Sequence, residues 1–458
     1  MTSRRVAFYT LGCKVNRYDT EALRGLFRRR GYRVVDFEEE ADIYVINTCT
    51  VTGRGEARSR QVIRRARRRN PDALVVVAGC YPQARPGEVE RIPGVDLVVG
   101  TGDRSRLVDL VQGLEGSDRR DGRPLVAVSD IMQAQQFEEL PIEEFRGRTR
   151  ATVKIQDGCD LFCSYCIIPY ARGPARSRRP EEVLSEVERL ARAGFKEVVL
   201  TGIHLGAYGN SPARDRGQYG RLDLAGILEL IHPVAGLERI RLSSVEPTDV
   251  TPRLVEAVAS LPKVCRHLHI PLQSGHDRVL RRMNRHYTTA RYRELVSEAR
   301  KGVPDLAVST DVMVGFPGET EEEFEASYRF IEEMAFSRLH VFPYSPRAGT
   351  PAAGFPDQVP EKVKEERSRR LLALGVELSC RFSSRYLGKT VEVLVEQAED
   401  RMPDLLEGLT DNYIRVTFRG PAELRNSLVK VRLTSISPGG VKGKLEEKPK
   451  GINRFLEE

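Results

Sequence analysis

The sequence predicts an α/β multidomain protein: a parallel α/β domain at the amino end, a partial (β/α)6 barrel in the middle and a small all-β barrel at the carboxyl end. Three observations predict it. Short apolar runs alternate with charged helical stretches along the first two thirds of the chain, the rhythm of βα units whose parallel strands are covered on both faces. The rhythm ends after about residue 381, where short runs of alternating pattern take over. At 458 residues the chain has room for two to four separate cores.

In residues 1–115 the strand at Val6–Thr10 runs into Leu11-Gly12-Cys13, that at Asp42–Asn47 into Thr48-Cys49, and that at Ala73–Ala78 into Gly79-Cys80. Helices are expected over 20–30 and 58–69. Cys13, Cys49 and Cys80 therefore each follow the carboxyl end of a strand, the edge beyond which parallel sheets bind ligands. They are expected to converge there although dozens of residues separate them. The alternative is three small buried residues at strand ends, since free Cys packs well in cores. Residues 116–150, with Asp118–Pro124 at their start and the acidic pairs Glu138-Glu139 and Glu143-Glu144, read as a connection with one short strand at 125–128.

Six strands are expected in residues 151–350: Ala151–Ile155, Glu197–Gly202, Arg239–Ser244, His267–Leu272, Ala307–Gly315 and Arg338–Tyr344. Helices such as Glu181–Ala193 and Glu321–Met334 alternate with them, the latter opened by the capping box Thr320-Glu-Glu-Glu323. Six βα units suit an open barrel that leaves room for a polymeric substrate. Residues 351–381 read as a helical connection, and 382–449 as a small β-barrel, with strands at Thr390–Glu396, Tyr413–Phe418 and Leu428–Leu433.

The densest chemistry lies in Gln156-Asp-Gly-Cys159-Asp-Leu-Phe-Cys163-Ser-Tyr165-Cys166, three thiols on one loop after an apolar strand. Three thiolates can hold three irons of a cubane iron–sulfur cluster and leave the fourth iron open. Structural zinc needs a fourth Cys or His close by, and the next histidine is His204. Zinc and plain buried thiols remain the alternatives. Near the barrel's strand ends, Thr201-Gly202, Ser243-Ser244-Val-Glu246 and Gly315-Phe-Pro-Gly318-Glu319 offer close backbone approach and groups for ribose hydroxyls. The remaining histidines lack metal-pair spacing, and Cys265 and Cys380 read as small buried hydrophobes.

Composition bounds the class. No stretch approaches the roughly 20 apolar residues of a membrane span, and the opening Met-Thr-Ser-Arg-Arg leads straight into a strand, so the protein is expected in the cytoplasm. There eight cysteines read as metal or redox ligands instead of disulfides. A net charge of +8 is concentrated in Arg54–Asn70 and in Arg172–Arg179, which could meet nucleic-acid phosphates or simply be solvated faces.

The Cys159–Cys166 stretch, with Tyr165 before its last cysteine, resembles the radical S-adenosylmethionine (SAM) superfamily. The resemblance implies one 4Fe-4S cluster on Cys159, Cys163 and Cys166, SAM on its open iron, and Tyr165 against the adenine, with Gly202, Ser244 and Glu246 as further SAM contacts. With Thr10-Leu-Gly-Cys13-Lys-Val-Asn16, Asn47-Thr-Cys49-Thr-Val-Thr52 and Ala78-Gly-Cys80, the chain resembles the methylthiotransferases over nearly its whole length. That family implies a second 4Fe-4S cluster on Cys13, Cys49 and Cys80, a carboxyl-terminal TRAM module that binds RNA, and a flavodoxin- or ferredoxin-type electron donor. Together with Cys166–Gly173 and Arg241-Leu-Ser-Ser-Val-Glu246-Pro, these stretches look like the group that modifies threonylcarbamoyladenosine in the anticodon stem-loop of tRNA. Isopentenyladenosine in tRNA and a ribosomal-protein aspartate are the alternative substrates. A metal-containing RNA-binding protein without catalysis is the reading from another class.

Overall fold

The computed structural model describes residues 4–115, 123–140, 142, 149–209, 222–399 and 402–447. Asp118–Gly122 and the pair Glu143-Glu144 lie outside the described residues. Among those described, no helix is long and apolar enough to cross a membrane.

Six parallel strands open the chain: β1 (Arg5–Thr10), β2 (Arg33–Val35), β3 (Ile43–Thr48), β4 (Leu74–Gly79), β5 (Leu97–Val99) and β6 (Leu125–Ala127). They lie in the order β2-β1-β3-β4-β5-β6. Their apolar runs are continuous because both faces are covered. Along β3, Tyr44 and Ile46 enter one core and Ile43 and Val45 the other. The chain order reverses between β1 and β3, which makes the gap above them the sheet's ligand crevice. β6 is a correction to the expected connection, because it hydrogen-bonds to β5 and so belongs to this sheet.

The central strands are β7 (Arg150–Lys154), the short hairpin pair β8 (Gln156–Asp157) and β9 (Arg176–Ser177), β10 (Glu197–Thr201), β11 (Arg239–Leu242), β12 (His267–His269), β13 (Ala307–Val314) and β14 (Arg338–Pro343). They form two parallel arrays, β7-β10-β11 and β12-β13-β14, joined by bridges at Ile240–Val264 and Ser244–His269. β7 and β14 do not pair among the described residues, so the six-stranded barrel is open. The helix Glu321–Met334 starts with the expected capping box on Thr320 and Glu323.

Five strands close the carboxyl-terminal barrel: β15 (Thr390–Glu399), β16 (Met402–Leu409), β17 (Arg415–Arg419), β18 (Leu428–Ser437) and β19 (Gly440–Glu447). β16 and β19 were not among the expected strands; Pro403 and the glycines at 408, 440 and 443 break their pattern. This barrel docks on the amino ends of the central strands. Arg239 donates to the Leu409 carbonyl at 2.9 Å, and Arg241 to those of Asp411 and Thr410 at 2.8 and 3.0 Å.

A buried charge network joins the first sheet to the central barrel. Asp19, on the helix Lys14–Arg29, meets Lys154 at 3.0 Å, Arg172 at 2.8 Å and Arg104. Asp157 meets Lys154 at 2.6 Å and Arg172 and Arg104 at 3.4 Å. All five residues are 2 % exposed or less. The run Arg172–Arg179, expected either to meet phosphates or to be a solvated face, is thereby corrected on both counts: Arg172, Arg176 and Arg178 are buried, and Arg178 pairs with Glu139 at 2.9 Å and with Glu186. Only Arg179 reaches the surface, where it pairs with Glu182. Sequence shows the charge of such a run, not the acids that fold beneath it.

Burial opposes ionisation of Asp19, but Arg104, Lys154 and Arg172 outweigh it and lower its carboxyl from 3.8 to about 2. A depressed carboxyl stabilises the fold above its unfolded value, and this contribution is lost as pH falls through about 2. Asp19→Asn is expected to cost about 3–5 kcal/mol at neutral pH, because it leaves buried cations unpaired. Its thermal melts should also depend less on acid than those of the wild type. Melts of both proteins down to about pH 2 check both effects.

Candidate functional site

Cys13, Cys49 and Cys80 follow β1, β3 and β4 and meet around Asn16. The Asn16 amide donates to the carbonyls of Leu11 at 2.8 Å and Thr48 at 2.9 Å, tying the first two cysteine loops together. Asn47 donates to the Asn16 carbonyl at 2.8 Å. Gly12 has φ +102°, and a Cβ there would lie 2.9 Å from the Cys49 Cβ, so only glycine allows this approach. Cys13 is exposed, Cys49 partly so and Cys80 buried. Arg172 donates from Nε to the Cys80 Sγ at 3.3 Å and from Nη2 to the Asn16 Oδ1. Burial pushes the Cys49 thiol up to about 12, reinforced by Cys80. It raises the Cys80 thiol too, against the pull of Arg172.

The second set lies on the loop after β8. Gly158 has φ +76°, and a Cβ would fall 1.9 Å from the Pro174 carbonyl oxygen. The Cys159 amide donates to the Gly173 carbonyl at 3.0 Å and closes the loop on itself. Asn284 donates to the carbonyl of Phe162 at 3.0 Å, Phe162 itself having φ +46°. Ser164 donates to the Arg282 carbonyl at 2.7 Å. Arg285 donates from Nη1 to the Cys163 Sγ at 3.3 Å and pairs through Nη2 with Glu246. The His204 Nδ1 is 3.9 Å from the Cys159 Sγ, while its Nε2 is 2.6 Å from the Asp249 carboxylate. Burial pushes the Cys166 thiol up to about 12 and raises that of Cys163.

Among the described residues, no three Cys, His, Asp or Glu side chains close on a single point as one metal ion would require. A cubane cluster asks for something else, because each sulfur meets its own iron at a separate corner. Two sets of three free thiols, one gathered from three strand ends and one on a single loop, fit that demand, and in each a buried guanidinium already addresses one sulfur.

The other expected site residues have local explanations. Tyr165 packs against Val279, Met283, Phe316, Tyr344 and Ala352. Gly202 lies against Gln156, where a Cβ would meet the Gln156 Oε1 at 2.8 Å; that oxygen accepts the His204 amide at 2.7 Å. Ser244 bridges to His269 and so helps to join the two arrays. Glu246 is held by Arg285. Cys265 is buried as expected, whereas Cys380 is half-buried and lines a cleft of about 370 Å³ with Leu372 and Val376. Sequence reasoning named His204 only as the next histidine and Arg172 only as part of a basic run, and it passed over Arg285, since no spacing links them to the cysteines they touch.

The barrel lumen below the cysteines is polar. Tyr413, at φ +71° in the turn between β16 and β17, stacks on His267 at 4.6 Å and lies under Arg241 at 4.8 Å. Arg241 is neutralised by Glu197 at 2.7 Å, and Arg150 by Glu396 at 2.5 Å. His269 is 3.2 Å from Asp311. Lys14, next to Cys13, is open to water yet enclosed by these walls. Burial lowers its pKa, Tyr413 opposes that, Arg150 and Arg241 lower it further, and Glu197 opposes again. It has no ion pair or hydrogen-bonding side chain among the described residues.

The helix Gly53–Arg69 spends Arg60 on Tyr81, Arg65 and Arg69 on Glu38, and Arg67 on Asp96. Arg54, Arg58, Arg64 and Arg68 remain exposed on one face.

Residues 153–331 match the model of the Radical SAM superfamily, and residues 5–100 that of Uncharacterized protein family UPF0004. The chain is 49% identical over 430 residues to threonylcarbamoyladenosine tRNA methylthiotransferase MtaB of Bacillus subtilis, covering 93% of each chain. It is 40% identical to the protein of the same name from Aquifex aeolicus, over 93% of this chain and 99% of the other. It is 39% identical to tRNA-2-methylthio-N(6)-dimethylallyladenosine synthase of Moorella thermoacetica, over 95% of this chain and 97% of the other. Among solved structures, the radical S-adenosylmethionine methyltransferase TsrM from Kitasatospora setae, with cobalamin and a 4Fe-4S cluster bound, is similar in fold at TM-score 0.58 and 19% identity, covering 77% of each chain.

Gly158→Ala is expected to cost about 1–3 kcal/mol in backbone strain and to displace the cysteine loop. Iron retained after anaerobic reconstitution should fall. Gly31→Ala, at φ +83° with nothing within 4 Å, shares the strain and should keep its iron. Equal iron in the two variants would contradict this account of Gly158.

Proposed function

This chain belongs to the radical SAM tRNA methylthiotransferases, and we propose from that membership that it adds a methylthio group to carbon 2 of N6-threonylcarbamoyladenosine beside the anticodon of tRNA. Similarity at 49% identity over 93% of both chains, to a relative named for that nucleoside, carries the reading. Membership in the radical SAM superfamily brings a 4Fe-4S cluster and SAM. Cys159, Cys163 and Cys166 would hold that cluster, and Cys13, Cys49 and Cys80 a second. When bound, the first cluster supplies the electron that opens SAM, which makes removal of hydrogen from an inert C–H bond feasible. Tyr165, Gly202, Ser244 and Glu246 would be SAM contacts of the cluster on Cys159, Cys163 and Cys166, with Arg285 paired to Glu246.

On the RNA side, Arg54, Arg58, Arg64 and Arg68 offer unshielded guanidiniums to phosphates. The β15–β19 barrel, read as a TRAM module, adds Lys442 and Lys444. A flavodoxin- or ferredoxin-type donor would supply electrons, and the enzyme would act in the cytoplasm with its tRNA.

The dimethylallyl substrate is the second reading, since a relative at 39% identity is named for it. Lys14 favours the first. The threonylcarbamoyl group ends in a carboxylate, whereas the dimethylallyl group is apolar, and an unpaired ammonium beside Cys13 suits only the former.

Two measurements check this. Nucleosides of tRNA from a strain lacking this gene should lose only the methylthio form of threonylcarbamoyladenosine, restored by the wild type and not by Cys159→Ala. Loss of the methylthio-dimethylallyl form instead would overturn the substrate. In vitro, Lys14→Met should lower kcat/KM on a threonylcarbamoyl stem-loop by about 10- to 100-fold, as expected for a lost hydrogen bond to a charged group. Binding of an unmodified stem-loop should not change.

A further inference from the structure

Arg172 stands six residues beyond Cys166, on the cysteine loop of the central barrel, yet its guanidinium reaches the other set of cysteines. The helix Ile168–Arg172 that carries it is anchored against the first sheet: the Thr101 hydroxyl donates to the Ala171 carbonyl at 2.7 Å. From there Nε donates to the Cys80 Sγ at 3.3 Å, Nη2 to the Asn16 Oδ1, and Nη1 to Asp19 at 2.8 Å. Arg172 is 0 % exposed, so water does not screen its charge.

The surrounding charges do not balance without the sulfur. Arg104, Lys154, Arg172 and Arg176 face Asp19, Asp157 and Glu138. One cation is left over, and the Arg176 Nη1 is buried without a partner. A buried uncompensated charge is costly; Arg172 directs two N–H groups at partners that are not carboxylates, the Asn16 Oδ1 and the Cys80 Sγ, and of these only the sulfur can carry a negative charge. An anionic sulfur there completes the network.

We infer that Arg172 is a positioning residue that orients Cys80 and raises the reduction potential of the cluster held by Cys13, Cys49 and Cys80. The inference rests on the reading that these three cysteines hold a cluster. Reduction adds negative charge to such a cluster; a fixed cation and an N–H donor on its ligand sulfur favour the reduced form, more strongly at low dielectric. Because Arg172 is part of the loop that bears Cys159, Cys163 and Cys166, it also ties the geometry of one cluster's cradle to the other's electronics.

The test uses the full chain, reconstituted anaerobically, with Cys159, Cys163 and Cys166 all replaced by Ala so that one cluster's signal remains. The midpoint potential is read by electron paramagnetic resonance during reductive titration, and iron is counted per chain. Arg172→Met is expected to shift the midpoint to lower potential, and Arg172→Lys to shift it less in the same direction. Asp19→Asn breaks the same network but removes a negative charge, so it is expected to shift the midpoint upward. Opposite signs distinguish tuning from structural damage, which would move both the same way. If Arg172→Met does not fold, Arg172→Lys carries the test; if Asp19→Asn does not fold, Asp157→Asn takes its place with the same sign. An unchanged midpoint in the arginine variants, or shifts of one sign throughout, overturns the role of Arg172. Absence of iron when Arg172 is intact overturns the second cluster itself.

Discussion

Two buried carboxylates, Asp19 and Asp157, hold three cations from three separate elements, and the placing of both cysteine sets depends on that contact. Arg104 comes from the turn after β5, Lys154 from the end of β7 and Arg172 from the cysteine loop; Asp19 comes from the helix that begins at Lys14. None of these charges can be buried alone, since desolvating a single ion costs several kcal/mol. The first sheet and the central barrel can therefore lose water between them only in the one register in which all five groups meet. That register sets Cys80 under Arg172 and turns the carboxyl edges of both sheets toward each other. An apolar interface of equal area would tolerate sliding, and sliding would separate the cysteine sets.

The strands of the first sheet and of the barrel were legible because burial on both faces writes them as unbroken apolar runs, as at Val75, Val76 and Val77. Their ends were legible too: Cys13, Cys49 and Cys80 do follow β1, β3 and β4. β16 and β19 were not, because a small barrel buries one face only and glycine or proline interrupts the alternation. The run Arg172–Arg179 misled for a related reason. A local window shows charge but not the partner, and the partners of Arg172 and Arg178 lie on the helix Lys14–Arg29, at Asp157 and on the helix Pro180–Arg192. Arg285 escaped notice, and the contact of His204 with Cys159 was not foreseen, because a single residue touching a cysteine more than forty positions away leaves no periodic trace.

The glycines divide along the same line. Gly202 looked like a place for close ligand approach, and the close approach is to Gln156. Gly158 looked like part of a motif, and its positive φ turns the chain into the cysteine loop. Gly202 makes room for the Gln156 side chain and Gly158 for the backbone at Pro174, so a glycine's presence there says that something comes close, while only the fold says what.

The two cysteine sets are built alike, and their difference is informative. In each, one sulfur is addressed by a buried arginine, Cys80 by Arg172 and Cys163 by Arg285. Arg285 returns its charge to Glu246 and Tyr287 within the barrel, so the second set is electrically self-contained. Arg172 returns its charge to Asp19 and Asp157, the residues that join the domains. The electrostatics of the first set thus depend directly on how the domains sit. Cys13 is exposed, while Cys80 is buried against the network that Arg172 shares with Asp19 and Asp157.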